Sequence, residues 1–305
     1  HRGKKPINKI LLSLLLLVVT VVGAVLIVFF VMSSIGKRDL YRKSKNETPA
    51  LVSDNLNGLT EKEKLMWEDD WVRYDGEIYD YNDDILTFLV MGIDQRNEQK
   101  DSTDLTKGGQ ADALFLVVLN PHDKSTKIIA INRDTMTDID VGSVDGVYSG
   151  TVKGQIALQH GYGSGYEDSA VKTVSAVSNL FYDLPIHGYF AVNMQAISII
   201  NDEVGGVSVN VLEDLTSEDS SLIKGTTVTL KGDAAYEYVQ HRDTSIERSN
   251  MDRLARQKQY LTNFISTAKN ATKDNMNLPI DLYNELSPYT TTDIKSTDIT
   301  YLAGT

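Results

Sequence analysis

Apolar residues along this chain follow three different patterns. From Ile10 to Ile35 they form one uncharged run of 26 residues, longer than the roughly 20 that cross a bilayer. A cleaved signal peptide is the rival reading. Its apolar stretch covers about 7–15 residues before a small-x-small site, whereas this run is longer and basic residues follow it. An uncleaved transmembrane helix is therefore predicted. Leu40 to Leu59 is polar and reads as a stalk. Thr60-Glu61-Lys62-Glu63 has the reciprocal capping pattern that opens a helix, predicted to Trp67. Asp75-Gly76 lies between two alternating aromatic runs, the signature of a two-residue hairpin. Trp67 and Trp71 flank this region and are expected to pack the hairpin onto the body.

Past Asp84 the pattern changes again. Ile85–Gly92, Ala113–Asn120 and Lys127–Asn132 are continuous apolar runs, as expected of strands buried on both faces. The segment Pro121–Thr126 turns between the last two. Ser169–Tyr182 carries Val171, Val174, Val177, Leu180 and Phe181 at helical spacing. His187–Met194 reads as a strand, and Gln195–Val204 as a short helix stopped by Gly205-Gly206. VSVNV and TVTL read as strands, and Asp233–Gln240 and Arg253–Lys269 as helices. Such alternation predicts a sheet covered by helices.

Charge sharpens the membrane reading. The 305 residues carry a formal charge of −12, yet residues 1–45 hold nine Lys or Arg and one acid, leaving −20 on the rest. A basic collar on an acidic body points to a membrane and away from nucleic acid. Four basic residues before the apolar run and five with Asp39 after it give +4 on each side, so the positive-inside count is a tie. A single N-terminal anchor with a basic head usually keeps that head inside, which places the acidic body outside. The absence of cysteine excludes disulfides, thiol nucleophiles and Cys-bearing zinc sites. The five histidines include no HxxxH pair, so a histidine-based zinc site is not expected either.

The sequence has no GxSxG, HExxH or GxxxxGK[ST] pattern. Gly161-Tyr-Gly163-Ser-Gly165 lacks the spacing of a phosphate loop and reads as turn glycines. Instead, charged residues stand where apolar elements end: Asp94 and Arg96 after the first strand, Asp112 before the second, Arg133 and Asp134 after the third. Arg242 and Asp243 follow a helix, and Arg253, Arg256 and Gln257 begin the last long one. Ligands of open sheets bind at strand ends. Several guanidiniums without a nucleophile suit a diphosphate, and two carboxylates could hold a hard cation such as Mg²⁺ against it. Any one of these residues alone would read as a surface ion pair; their joint placement is what carries weight.

In order, LVMGIDQR, QADALFLVVLNP, IAINRDTM, GYFAVNMQAISIINDEVGGVSVNV, LKGDAAYEYVQHRD and DRLARQKQYL resemble the LytR–CpsA–Psr family of cell-wall proteins. The resemblance implies an α/β fold, a three-layer α/β/α sandwich with a mixed central sheet and an apolar tunnel for a lipid tail. It implies transfer of an anionic glycopolymer from a polyprenyl-diphosphate carrier to peptidoglycan, outside the membrane of Gram-positive bacteria. Asp94 and Asp112 match its magnesium-side aspartates. Arg96, Arg133, Arg242, Arg253 and Gln257 match positions lining the diphosphate, with Arg256 beside them. Asp94 or Asp112 would assist deprotonation of the acceptor hydroxyl.

The chain also departs from that pattern. Gln110 and Gln240 stand where the family usually carries arginine, and Asn250 stands near a usual aspartate. Two alternatives follow: a binding protein for polyprenyl phosphate or cell wall with little turnover, and a lipid-diphosphate hydrolase. The expected organisation is a cytoplasmic head at 1–9, a transmembrane helix at 10–35, a stalk with helix and hairpin at 36–84, a catalytic domain at 85–275 and a C-terminal tail at 276–305. The tunnel is expected to be lined by the central strands and by Ser169–Tyr182.

Overall fold

The computed structural model describes residues 26–42, 59–68, 71–74, 77–95, 109–142, 147–194, 196–243, 245 and 249–304. The central feature is a five-stranded mixed sheet. Its middle strands, β3 (Leu86–Ile93) and β4 (Ala111–Asn120), are antiparallel, with Leu89 opposite Leu116. β5 (Ser125–Ile131) continues the antiparallel edge on one side; as an edge strand it is largely exposed, with only Ile131 buried, rather than covered on both faces as expected. On the other side, β8 (Gly188–Asn193) runs parallel to β3, and β11 (Thr290–Thr292) closes the sheet antiparallel to β8. The apolar runs of β3 and β4 are continuous because both faces of the sheet are covered.

One face packs against α3 (Tyr166–Leu180). Leu89, Met91, Leu114 and Leu116 form a core there with Ala170, Ala176 and Val177. The opposite face looks toward α4 (Ala196–Glu203), α5 (Asp233–Gln240) and α6 (Ser249–Asp274), which share a second core with the small sheet of β9 (Ser208–Asn210) and β10 (Thr227–Thr229). Gly205 and Gly206 stop α4 with φ of +87° and +93°, a conformation that glycine adopts without steric cost. Toward the N-terminus, α2 (Glu61–Leu65) has the reciprocal cap between Thr60 and Glu63. β1 (Trp71–Tyr74) and β2 (Glu77–Asp80) pair with Tyr74 opposite Glu77. The tryptophans contact each other edge to face at 5.9 Å, and β2 is exposed along its length, so the two indoles meet each other beside an exposed ribbon.

Three segments differ from expectation. The antiparallel ribbon of β6 (Met136–Gly142) and β7 (Tyr148–Gln155) was not foreseen. Its strands carry Asp138, Asp140, Gly142, Gly150 and Gly154, residue types that are depleted in strands. The expected tail supplies α7 (Leu278–Leu286), the edge strand β11 and α8 (Ser296–Ala303), with Ile294 buried. Three threonines in a row carry no apolar alternation, so that strand is defined by its partner. Gly163 packs so tightly on Ser169 that a side chain there would collide with it, so this one glycine serves close approach at the start of α3, whereas Gly165 faces open space.

Residues 10–25 of the expected span lie outside the described residues. Among the described residues, no helix is long and apolar enough to cross a membrane. The helix over residues 26–42, α1, exposes Leu26, Ile27, Val28 and Phe30 at one end. At the other end, where the stalk was expected to begin, Leu40 is buried with Leu86, Phe88 and Ile294. Tyr41 donates to the Asp84 carbonyl at 2.9 Å and packs edge to face on Tyr301. Any side chain at Gly36 would strike the Thr297 carbonyl, so α1 and α8 touch backbone to backbone. Because Ile294 joins the C-terminal segment to this cluster, Ile294→Ala should lower the unfolding free energy by about 2–5 kcal/mol. Denaturant titration measures this, and a change below about 1 kcal/mol would mean that the segment is not part of the cooperative core.

Candidate active site

β3 and β4 bring two aspartates to one end of the sheet. Asp94, just past β3, donates its backbone N–H to the Gln110 carbonyl at 3.0 Å, and Asp112 stands two residues further along the paired strand. The Asp112 carboxylate, 10% exposed, pairs with two guanidiniums. One is Arg133, at the exit of β5; the other is Arg253, on α6, at 3.4 Å. Burial pushes the Asp112 carboxyl above its ordinary range, against the pull of Arg133 and Arg253, and the charge of Asp94 adds to the rise. Burial likewise lowers the Arg253 guanidinium, against the pull of Asp112.

Around this pair the polar contacts continue. Arg133 Nη2 donates to Gln110 Oε1 at 2.6 Å, so the glutamine in the expected arginine position steadies Arg133 without adding charge. Asp134 Oδ1 lies 3.8 Å from Arg133 Nε. The same carboxylate accepts from Gln155 at 3.1 Å and from Asn250 at 2.7 Å, joining β7 to α6. Arg242, beyond α5, donates to Ser249 Oγ at 3.2 Å. Gln240 ends α5, half-buried. Arg96 lies outside the described residues.

Arg256 faces elsewhere. It is buried and pairs with Glu213 at 2.5 Å, while donating to the carbonyls of Tyr238 and His241. Its donors hold α6 to the end of α5, away from the Asp112 cluster. No local pattern marks Glu213 or Gln155 as partners, because each contact joins residues far apart in the chain. Asn250, notable in the sequence only as a departure near a usual aspartate, proves to donate to Asp134. Among the described residues, no group of three or more Asp, Glu, His or Cys is arranged to hold a metal.

Beside the charged cluster lies an apolar cavity of about 100 Å³. Val90, Gly92, Ala113, Phe115 and Val192 form its floor on the sheet, and Ile197, Ile200, Val239, Tyr260 and Leu261 its roof. The roof therefore comes from α4, α5 and α6, whereas the expected Ser169–Tyr182 helix covers the opposite face of the sheet. Gln257 stands at the junction: it lines the cavity, donates to the Val239 carbonyl at 3.1 Å and follows Arg253 by one turn of α6. Ala113, next to Asp112, lines the same space. An apolar chamber with guanidiniums and carboxylates at one end suits an amphiphile with an anionic head.

The model of the LytR_cpsA_psr family matches residues 49–304. A polyisoprenyl-teichoic acid–peptidoglycan teichoic acid transferase TagU of Bacillus mycoides is 34% identical over 177 residues, covering 58% of this chain and 50% of its own length. The protein of that name from Bacillus licheniformis is 30% identical over 190 residues, covering 62% and 54%. This chain thus spans about half the length of the curated relatives it matches. The crystal structure of B. subtilis TagV superposes with a TM-score of 0.52 at 26% identity, covering 72% of this chain and 80% of the other.

The raised Asp112 carboxyl has a testable sign. A carboxyl that holds its proton more tightly when folded contributes stability below its unfolded value, near pH 3.9, and loses it as pH rises through the folded value. Asp112→Asn removes that dependence. The melting temperature of the variant minus that of the wild type should therefore be more positive at pH 7 than at pH 3. A difference that does not change with pH would show that Asp112 ionises as it does in the unfolded chain.

Proposed function

The chain belongs to the LytR_cpsA_psr family, and on that premise we propose that it transfers an anionic glycopolymer from a polyprenyl-diphosphate carrier to peptidoglycan. The observation that carries this reading is the apolar cavity that meets the Asp112–Arg133–Arg253 cluster at Gln257 and Ala113. A polyprenyl tail gains ~0.8 kcal/mol per buried CH₂, while its diphosphate stays among the guanidiniums. The names of the relatives, as polyisoprenyl-teichoic acid transferases, agree with a lipid-linked donor.

In this reading Arg133, Arg242 and Arg253 grip the diphosphate, and Gln110 orients Arg133 for it. An acceptor hydroxyl attacks the phosphorus that bears the glycopolymer. The new oxygen–phosphorus bond forms, the phosphoanhydride bond breaks and polyprenyl phosphate leaves. The hydroxyl proton goes to Asp94 or Asp112; the raised affinity of Asp112 for a proton suits that role. The two aspartates also fit Mg²⁺, which commonly takes one or two carboxylates and completes its shell with phosphate oxygens. Asp112, already strained as an anion by burial and by Asp94, is the kind of ligand such an ion relieves. When bound there, the ion would neutralise charge on the leaving phosphate.

Residues 10–35 would anchor the chain in the membrane, with the body outside. The apolar end of α1 supports the anchor, and the basic head at residues 1–9 supports the body's place outside. Protease added to intact protoplasts should then digest the body, and full protection would refute the external placement.

The enzymatic test is transfer of labelled lipid-linked glycan to wall fragments. Arg133→Ala should lower the rate by about 10²–10³-fold, the effect of removing one preorganised donor to transition-state charge. Arg133→Lys should rescue poorly, because a point charge cannot replace the guanidinium fork. Wild-type transfer by Arg133→Ala would refute the assignment. Release of free glycan without acceptor would identify a hydrolase, and tight polyprenyl phosphate binding without turnover a binding protein.

A further inference from the structure

The β6–β7 ribbon starts immediately after the Arg133-Asp134 turn and packs on the 3₁₀ turn Ile156–Tyr162 and on α3. It therefore lies on the side of the sheet away from the cavity. Its inner face is anchored: Ile139 is 2% exposed, and buried Gln159 both accepts from the Asp140 N–H at 2.7 Å and donates to the Asp140 carbonyl at 3.0 Å. The other face is polar and open. Asp138 pairs with Lys153 at 3.1 Å, and Thr151 donates to Asp140 at 2.7 Å. A bulge between Val141 and Gly142, with Gly150 at φ +149°, sets Tyr148 beside Thr151, hydroxyl to hydroxyl at 2.9 Å. Bulges re-aim side chains in this way. At the base, Gln155 donates to Asp134 at 3.1 Å, beside Arg133.

We propose that this face is the acceptor site, binding an N-acetylated glycan strand whose hydroxyl is phosphorylated at Arg133. The proposal rests on the transferase reading, because it assigns the second substrate of that reaction. Phosphoryl transfer places the attacking and leaving oxygens roughly in line. With the lipid leaving toward the cavity, the acceptor must arrive from the other side of the Arg133–Asp112 cluster, where the ribbon stands. Its chemistry fits a sugar: carboxylates, an amide, an ammonium and a hydroxyl for polar substituents, and an exposed tyrosine ring for a pyranose face. From Tyr148 to Gln155 the strand spans ~23 Å, room for more than one sugar ring. The clamp by Gln159 makes the face preformed, so little ordering is required when a strand binds.

The test uses the full chain in detergent micelles, with two ligands titrated separately: soluble glycan fragments of peptidoglycan, and polyprenyl phosphate. Tyr148→Ala/Lys153→Ala should weaken glycan binding at least roughly tenfold and leave polyprenyl phosphate binding and the melting temperature unchanged. Val152→Ala, on the opposite face of the ribbon, should bind glycan as wild type does. Undiminished glycan binding by the double variant overturns the proposal. So does wild-type protein that binds polyprenyl phosphate but no glycan, an outcome that spares the lipid-carrier reading. Glycan binding that is lost in the double variant, in a protein that never binds polyprenyl phosphate, upholds the ribbon as a glycan site and refutes the transferase reading.

Discussion

Asp112 is held between two guanidiniums from distant parts of the chain, Arg133 at the end of β5 and Arg253 in α6. Removing three charges from water is costly, and the mutual attraction of such groups often only offsets the desolvation. The upward displacement of Asp112 and the downward displacement of Arg253 are the signs of that cost. What the contact provides is position. It ties one end of the sheet to α6, which roofs the cavity with Tyr260 and Leu261. One turn beyond Arg253, Arg256 fixes the same helix to the end of α5 and to Glu213. The helix that supplies Tyr260 and Leu261 to the roof and Arg253 to the charged rim is thus held from two directions.

Of the strands that the apolar pattern revealed, β3 and β4 are buried or half-buried along their length, whereas β5, read in the same way, lies at the sheet edge and is largely exposed. β3 and β4 read as continuous apolar runs because both of their faces are covered. The ribbon β6–β7 and the edge strand β11 owe their form to partners, Ile156–Tyr162 and β8 respectively, and their polar composition conceals them. Helical spacing in Ser169–Tyr182 disclosed an apolar face but not which side of the sheet that face would meet. The lining of the cavity was therefore assigned to the wrong helix.

The site divides in the same way. Asp94, Asp112, Arg133 and Arg253 were visible because a charge that interrupts or ends an apolar run must face a crevice or a partner. Arg256 has the same sequence signature and a different environment, since position on a helix decides which direction a guanidinium takes. The links of Asp134 to Gln155 and Asn250 join three separated segments, and no local pattern announces them.

The contact between α1 and α8 has a mechanical consequence. Gly36 brings the two backbones together, and Leu40 and Tyr41 continue the seat into the body. A helix so mounted behaves as a bracket rather than a tether. Whatever tilt its apolar end adopts in its surroundings is passed to the sheet, and the rim of the cavity rides at a constant height along the axis of that helix. A larger residue at Gly36 would free the joint, and the body would sample a distribution of heights instead of one.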